Sequence, residues 1–177
     1  TFRNPLLQNG ADPWLQFYNG YYYLGVTGGH SLRMRRAKRL GELSEAPETL
    51  VWNDDTPSRC VEMWAPEYFL LDGPNGPRWY MYYTASDGND LNHRTFVCDS
   101  EGDDPFGPYH FKSQLLTDPD DKLYAIDGTV LRMPNNDLYF LWAGHPGHRI
   151  FISRMSDPWT LTGERVLLEA RGFGCDD

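Results

Sequence analysis

Apolar and polar positions alternate along most of this chain with the short period of β-strands, and they do so three times in the same order. The first stretch holds the runs Pro13–Tyr18, Tyr21–Thr27, Ser31–Ala37 and Glu48–Trp52. The second holds Glu67–Leu71, Arg78–Ala85, Arg94–Asp99 and Tyr109–Ser113. The third holds Thr129–Met133, Asp137–Ala143, Arg149–Arg154 and Arg165–Glu169. The runs are rich in aromatic and β-branched residues, which fit a pleated, half-buried surface. Asn19-Gly20 predicts a tight hairpin, because both residues tolerate positive φ. The second stretch replaces it with a longer loop, Asp72 to Pro77, and the third with Pro134-Asn135-Asn136. Helical periodicity is weak, and Arg35–Leu43 alone predicts a short helical turn.

The recurrence is regular. The anchors Tyr21, Trp79 and Leu138 stand 58 and 59 positions apart. Four strands per unit at such a period predict an all-β fold, a β-propeller of four-stranded antiparallel blades. The blades are expected at about residues 11–57, 60–115 and 125–170. Asp104-Pro105 and Asp157-Pro158 predict equivalent turns before the outermost strands of the second and third units. Propellers close with roughly four to eight blades. Three would leave apolar faces and strand edges in water. The chain is therefore expected to be a part, completed by a second polypeptide or by a missing C-terminal segment. On this reading Gly172–Asp177 leads into a fourth blade.

Radial symmetry makes the spacing matter for chemistry. If the first run of each unit is innermost, its start and the loop between runs two and three lie at one end of the channel. That gathers Asp12, Trp64 and Asp127 with the loops Gly28–His30, Ser86–His93 and Gly144–His148. Asp12 and Asp127 occupy equivalent positions. Such a cup offers two carboxylates, an aromatic wall and polar groups, which suits a sugar. Two carboxylates are the minimum for glycoside hydrolysis, one ionised and one protonated. Glu67 is expected to face away from Trp64 and to be structural, while Glu164 and Glu169 are expected on a solvated outer strand.

Charge and cysteine content narrow the partners. The 177 residues carry a net charge of −9, which argues against nucleic acid and anionic membrane. No apolar stretch approaches the roughly 20 residues that span a bilayer. The cysteines are Cys60, Cys98 and Cys175, without a Cys-x-x-Cys motif. Two readings stay open: three buried or half-buried thiols, or a Cys60–Cys98 bridge, which would fit an oxidising compartment. His30, His93, His145 and His148 fall on the mouth loops without tight metal-ligand spacing, and are expected at the surface or in hydrogen bonds.

Several motifs in order, Asn4-Pro5-Leu6-Leu7, Gly10-Ala11-Asp12-Pro13-Trp14, Trp64-Ala65-Pro66-Glu67, Asn92-His93-Arg94 and Ala125-Ile126-Asp127-Gly128-Thr129, resemble glycoside hydrolase family 43. Within it the likeness is greatest to the α-L-arabinofuranosidases. The resemblance implies a five-bladed propeller that hydrolyses with inversion. It implies Asp12 as general base and Asp127 as the carboxylate that orients the acid and raises its pKa. The acid itself would be a Glu of the fourth blade, so this chain alone is expected to be inactive. By position, Trp64, Asp87, Ile126 and Gly144 are expected to bind substrate. No cofactor is required for the chemistry. A structural cation, calcium or another, is implied for the central channel, with ligands from a later blade and none fixed here. The implied partner is a plant cell-wall oligosaccharide or polysaccharide, arabinan or arabinoxylan, and the implied location is extracellular. A β-xylosidase, an endo-arabinanase and a non-catalytic carbohydrate-binding propeller are the competing readings.

Overall fold

The computed structural model describes residues 4–168. It contains twelve strands and two single 3-10 turns, Leu40–Glu42 and Asp90–Asn92. In chain order the strands are β1 Trp14–Tyr18, β2 Tyr21–Val26, β3 Ser31–Ala37, β4 Thr49–Asn53, β5 Val61–Gly73, β6 Gly76–Ser86, β7 Arg94–Ser100, β8 Tyr109–Gln114, β9 Ala125–Arg132, β10 Leu138–Gly144, β11 Arg149–Asp157 and β12 Thr160–Leu167. They form three separate antiparallel sheets, β1 to β4, β5 to β8 and β9 to β12, each paired in sequence order. This is the architecture of a partial β-propeller, and each sheet is a blade.

Asn19 and Gly20 turn β1 into β2 with φ values of 46° and 83°, as a two-residue turn with positive φ at both positions requires. The loop expected from Asp72 to Pro77 is far shorter than that. Gly73 pairs with Gly76, so Pro74-Asn75 alone make the turn. The helical turn is confined to Leu40–Glu42, because Arg35 to Ala37 remain paired in β3. The outermost strand of blade three starts at Thr160, immediately after the Asp157-Pro158 turn, and not at Arg165. The segments Glu169 and Gly172–Asp177 lie outside the described residues.

Strand β6 shows how the blades stack. Residues Trp79 to Ser86 are all buried. Successive side chains of a strand point to opposite faces, so one strand can serve two cores. Trp79, Met81 and Tyr83 join Trp14, Tyr23, Leu32 and Met34 between blades one and two. Tyr80 and Tyr82 join Val130, Phe140, Trp142 and Phe151 between blades two and three. Blade two is thus apolar on both faces. The outer blades keep apolar side chains exposed, Leu15 and Phe17 on blade one and Leu131, Ile150 and Val166 on blade three.

Cys60 and Cys98 are both free, which removes the bridge between them; Cys98 is buried within the core and Cys60 is half-buried. Cys175 lies outside the described residues. Among the described residues no helix is long and apolar enough to cross a membrane.

Candidate active site

The first strand of each blade carries the same irregularity at the same place. In blade three, Thr129 faces Leu141 but Ile126 faces Ala143, so β9 spends one residue more than β10. In blade two, Glu67 faces Tyr82 and Trp64 faces Thr84, again with one extra residue. In blade one, Trp14 faces Gly25, and the Thr27 amide donates to the Ala11 carbonyl at 3.0 Å, the same count. These are β-bulges, which bend a strand and re-aim its side chains. The pairs that oppose a single partner residue are Asp12-Pro13, Ala65-Pro66 and Asp127-Gly128. The first member of each pair is left-handed, with φ of 49°, 43° and 53°. Asp tolerates that region better than most residues. Pro or Gly follows because the bulge disrupts the ladder there. Gly128 has a further reason: a Cβ on it would stand 2.2 Å from the ring of Phe140.

The three bulges converge on one cavity of about 240 Å³, lined by Asp12, Pro13, Trp14, Ala65, Pro66, Glu67, Asp127 and Gly128. The two aspartates that the spacing predicted to be equivalent do share a site. Their blade-two counterpart is Ala65, and Trp64, expected as an aromatic wall of the same cup, does not line this cavity. Glu67, expected to be structural, lines the same cavity and accepts a 2.5 Å hydrogen bond from the Thr129 hydroxyl of blade three. The Thr27 hydroxyl donates to Asp12 Oδ2 at 2.5 Å. Neither threonine was singled out from the sequence as a site residue, since a hydroxyl on a strand carries no pattern of its own. The bulges did leave a signal: Pro66 stands inside a strand, where proline is confined to edges and bulges.

The electrostatics follow from the convergence. Burial and then the neighbouring charge of Asp12 push the Asp127 carboxyl upward, with His148 acting in the opposite direction. Asp127 nonetheless remains exposed on the open side of the cavity.

Trp64, Asp87, Ile126 and Gly144 are not among the side chains lining this cavity. Trp64 stacks on His93 with ring centroids 4.1 Å apart. His93 is not a surface residue; it is fully buried, and a ring nitrogen, Nδ1, lies 2.8 Å from the Asp90 carbonyl. Asp87 is exposed. Its carboxylate accepts from the Asn92 side chain and the Asn89 amide, and these bonds pull it below the ordinary carboxylate range. Ile126 is half-buried and pairs with Ala143. Gly144 is buried where a Cβ would sit 3.0 Å from the Trp142 indole nitrogen.

Glu62, Asp90 and His93 bring ligand-type atoms within 4.8 Å of one another. Glu62 Oε2 stands 3.5 Å from Nε2 of His93, and Asp90 Oδ1 stands 3.7 Å from Nδ1.

Comparison with known proteins agrees with this geometry. Residues 2–173 match glycosyl hydrolases family 43. Two extracellular exo-α-(1→5)-L-arabinofuranosidases are similar to this chain. The protein of Streptomyces chartreusis is 33% identical over 94% of this chain and 52% of its own length. That of Streptomyces avermitilis is 32% identical over 92% of this chain and 35% of its own. The solved structure of an α-L-arabinofuranosidase from Lactobacillus brevis superposes with a TM-score of 0.83 at 28% identity, covering 94% of this chain and 55% of that one. The chain spans about half or less of the length of the curated relatives it matches. With three four-stranded blades, two aspartates on matched bulges and a family match along nearly its whole length, the chain belongs to glycosyl hydrolase family 43.

Proposed function

We propose that this chain supplies the base side of the active site of an inverting, exo-acting α-L-arabinofuranosidase. The observation that supports this most is the shared cavity of Asp12 and Asp127, with the Asp127 carboxyl raised partly by the Asp12 charge. Asp12 accepts a proton from a water, and that water attacks the anomeric carbon. A glutamic acid from outside this chain protonates the leaving oxygen, about 6.5–9.5 Å from the base in an inverting site. Asp127 orients that acid and, as a nearby like charge, raises its pKa.

The exposed apolar side chains of blades one and three are where further blades pack, and those blades bring the acid. The 177-residue chain by itself is then inactive. Trp64 and Asp87 stand on the mouth side and contact the sugar, with Ile126 and Gly144 shaping the strands behind. The substrate is arabinan or arabinoxylan side chains; the relatives' names favour α-(1→5)-linked arabinose. Those names also favour secretion. Any channel cation is structural and held by later blades.

The test is hydrolysis by the full-length protein of aryl arabinofuranoside, aryl xyloside and linear arabinan. Release of arabinose from the first and from chain ends of the third, slowed about 10²- to 10⁴-fold by Asp12→Asn, is expected. Preference for the xyloside, internal cleavage of arabinan, or sugar binding without turnover would replace this reading by a xylosidase, an endo-arabinanase or a lectin-like propeller.

A further inference from the structure

We infer that Thr27 is a positioning residue for Asp12, and that through it the seating of blade two on blade one sets the geometry of the base. The inference rests on the role proposed above for Asp12.

Thr27 follows the last residue of β2. Its amide closes the blade-one bulge on Ala11. The next two residues leave blade one and pair with β5. The Gly28 amide donates to the Met63 carbonyl, and the Met63 amide donates to the Gly29 carbonyl, each at 3.0 Å. The Ala65 amide, on the bulge of blade two, donates to Thr27 Oγ1 at 2.8 Å. Three hydrogen bonds thus join the Thr27–Gly29 segment to Met63–Ala65 across the blade interface.

A hydroxyl has one proton to give. With an Oγ1 lone pair taken by the Ala65 amide, the proton is directed at Asp12, and Oδ2 of Asp12 receives it at 2.5 Å. Among the described residues this is the side-chain hydrogen bond that Asp12 makes. The aspartate is otherwise exposed, on a left-handed residue. Thr27 is suited to the task, because a β-branched side chain is stiff about χ1. Oδ1 is left free for a water. The bulge amide of blade two therefore fixes the carboxylate of blade one through a single hydroxyl.

The experiment is a double-mutant cycle in the full-length protein, with kcat and KM measured on aryl arabinofuranoside. Thr27→Val should lower kcat roughly 10- to 100-fold while KM stays within about threefold, the signature of a misplaced reacting group. Thr27→Ser, which keeps the hydroxyl, should stay within about threefold of the parent. In an Asp12→Asn background Thr27→Val should cause no further loss, since two residues acting as one unit are not additive. An equal loss in both backgrounds would mark Thr27 as merely structural, and an unchanged kcat for Thr27→Val would end the proposal. If Thr27→Val does not fold, Thr27→Ala carries the same cycle, because it leaves room for a water on the Ala65 amide. An Asp12→Asn variant with the parent's kcat overturns the base assignment itself. A slow Asp12→Asn beside a normal Thr27→Val overturns only the positioning.

Discussion

Asp12 and Asp127 stand at matching points of blades one and three, each the left-handed first residue of a β-bulge, with φ of 49° and 53°. The match separates catalytic from structural cost. Asparagine tolerates the same backbone region, and both side chains are exposed. Asp12→Asn and Asp127→Asn should each shift stability by no more than about 0.5 kcal/mol, as surface changes do. Asp12→Asn should lower kcat of the full-length protein by about 10²- to 10⁴-fold, the usual worth of a general base. Thermal melts beside kinetics check both halves.

Ala65 holds the equivalent place in blade two with φ of 43°. It lacks the polar side chain that lets Asp sit there at low cost. A glycine suffers no Cβ penalty in this region. Ala65→Gly should therefore stabilise the protein by about 0.5–1 kcal/mol, once the greater freedom of glycine in the unfolded chain is subtracted. Urea unfolding of the two proteins reads the difference directly, and a destabilised glycine variant would mean that the Ala65 methyl packs better than the strain costs.

The Asp127 carboxyl is raised above its unfolded value by burial and by Asp12. Folding takes up a proton between the unfolded and the folded pKa. This contribution is therefore fully favourable at low pH and is lost as pH rises through the folded value. Asp127→Asn should remove that falling segment, so the variant gains on the parent as pH increases across it. Asp12→Asn should remove only part, since the burial contribution remains. Denaturant titrations from about pH 3 to about pH 8, the span around ordinary carboxylate values, provide the comparison.

Asp118 should behave in the opposite sense. Burial pushes its carboxyl upward but is outweighed by the amides of Leu123, Lys122 and Asp120, helped by Arg94, so it lies below the ordinary range. The amides approach at 2.9, 3.2 and 3.1 Å and close the turn that leads into β9. A depressed carboxylate adds stability above the unfolded pKa and loses it as pH falls through the folded one. Asp118→Ala should cost about 2–3 kcal/mol at neutral pH, in the range for hydrogen bonds to a charged group. The deficit should shrink under acid.

Tyr82 spans the second blade interface. Its hydroxyl is fully buried and donates to the Pro158 carbonyl at 2.6 Å. Tyr82→Phe preserves the ring against Phe140 and leaves that carbonyl without its donor. A loss of about 1–2 kcal/mol is expected, without change in KM. A loss near zero would mean that water replaces the hydroxyl.

The blades were legible because a buried strand writes its environment into a period of two. β6 is the clearest case, with alternate residues serving two different cores. The turn at Asn19-Gly20 was legible because few residues accept positive φ. Strand starts were less so. β5 and β9 begin upstream of the runs that the apolar pattern marks, because bulges break alternation at Ala65-Pro66 and Asp127-Gly128. The same break hid Glu67, which lines the cavity although its position in a simple strand suggested otherwise. His93 sits in a polar loop in the sequence and is nevertheless buried, because Trp64 covers one face and Tyr124 meets its ring edge-on.

What the sequence determined by itself was the repeat: three four-stranded units with aspartates at corresponding points of two of them, since spacing and alternation are properties of the linear chain. Only the tertiary structure decided which side chains share a cavity. That depends on bulges and on hydrogen bonds between blades, such as the amide of Ala65 on the hydroxyl of Thr27, which join residues 38 positions apart. Contacts of that kind arise from the packing of whole sheets, and no local pattern encodes them.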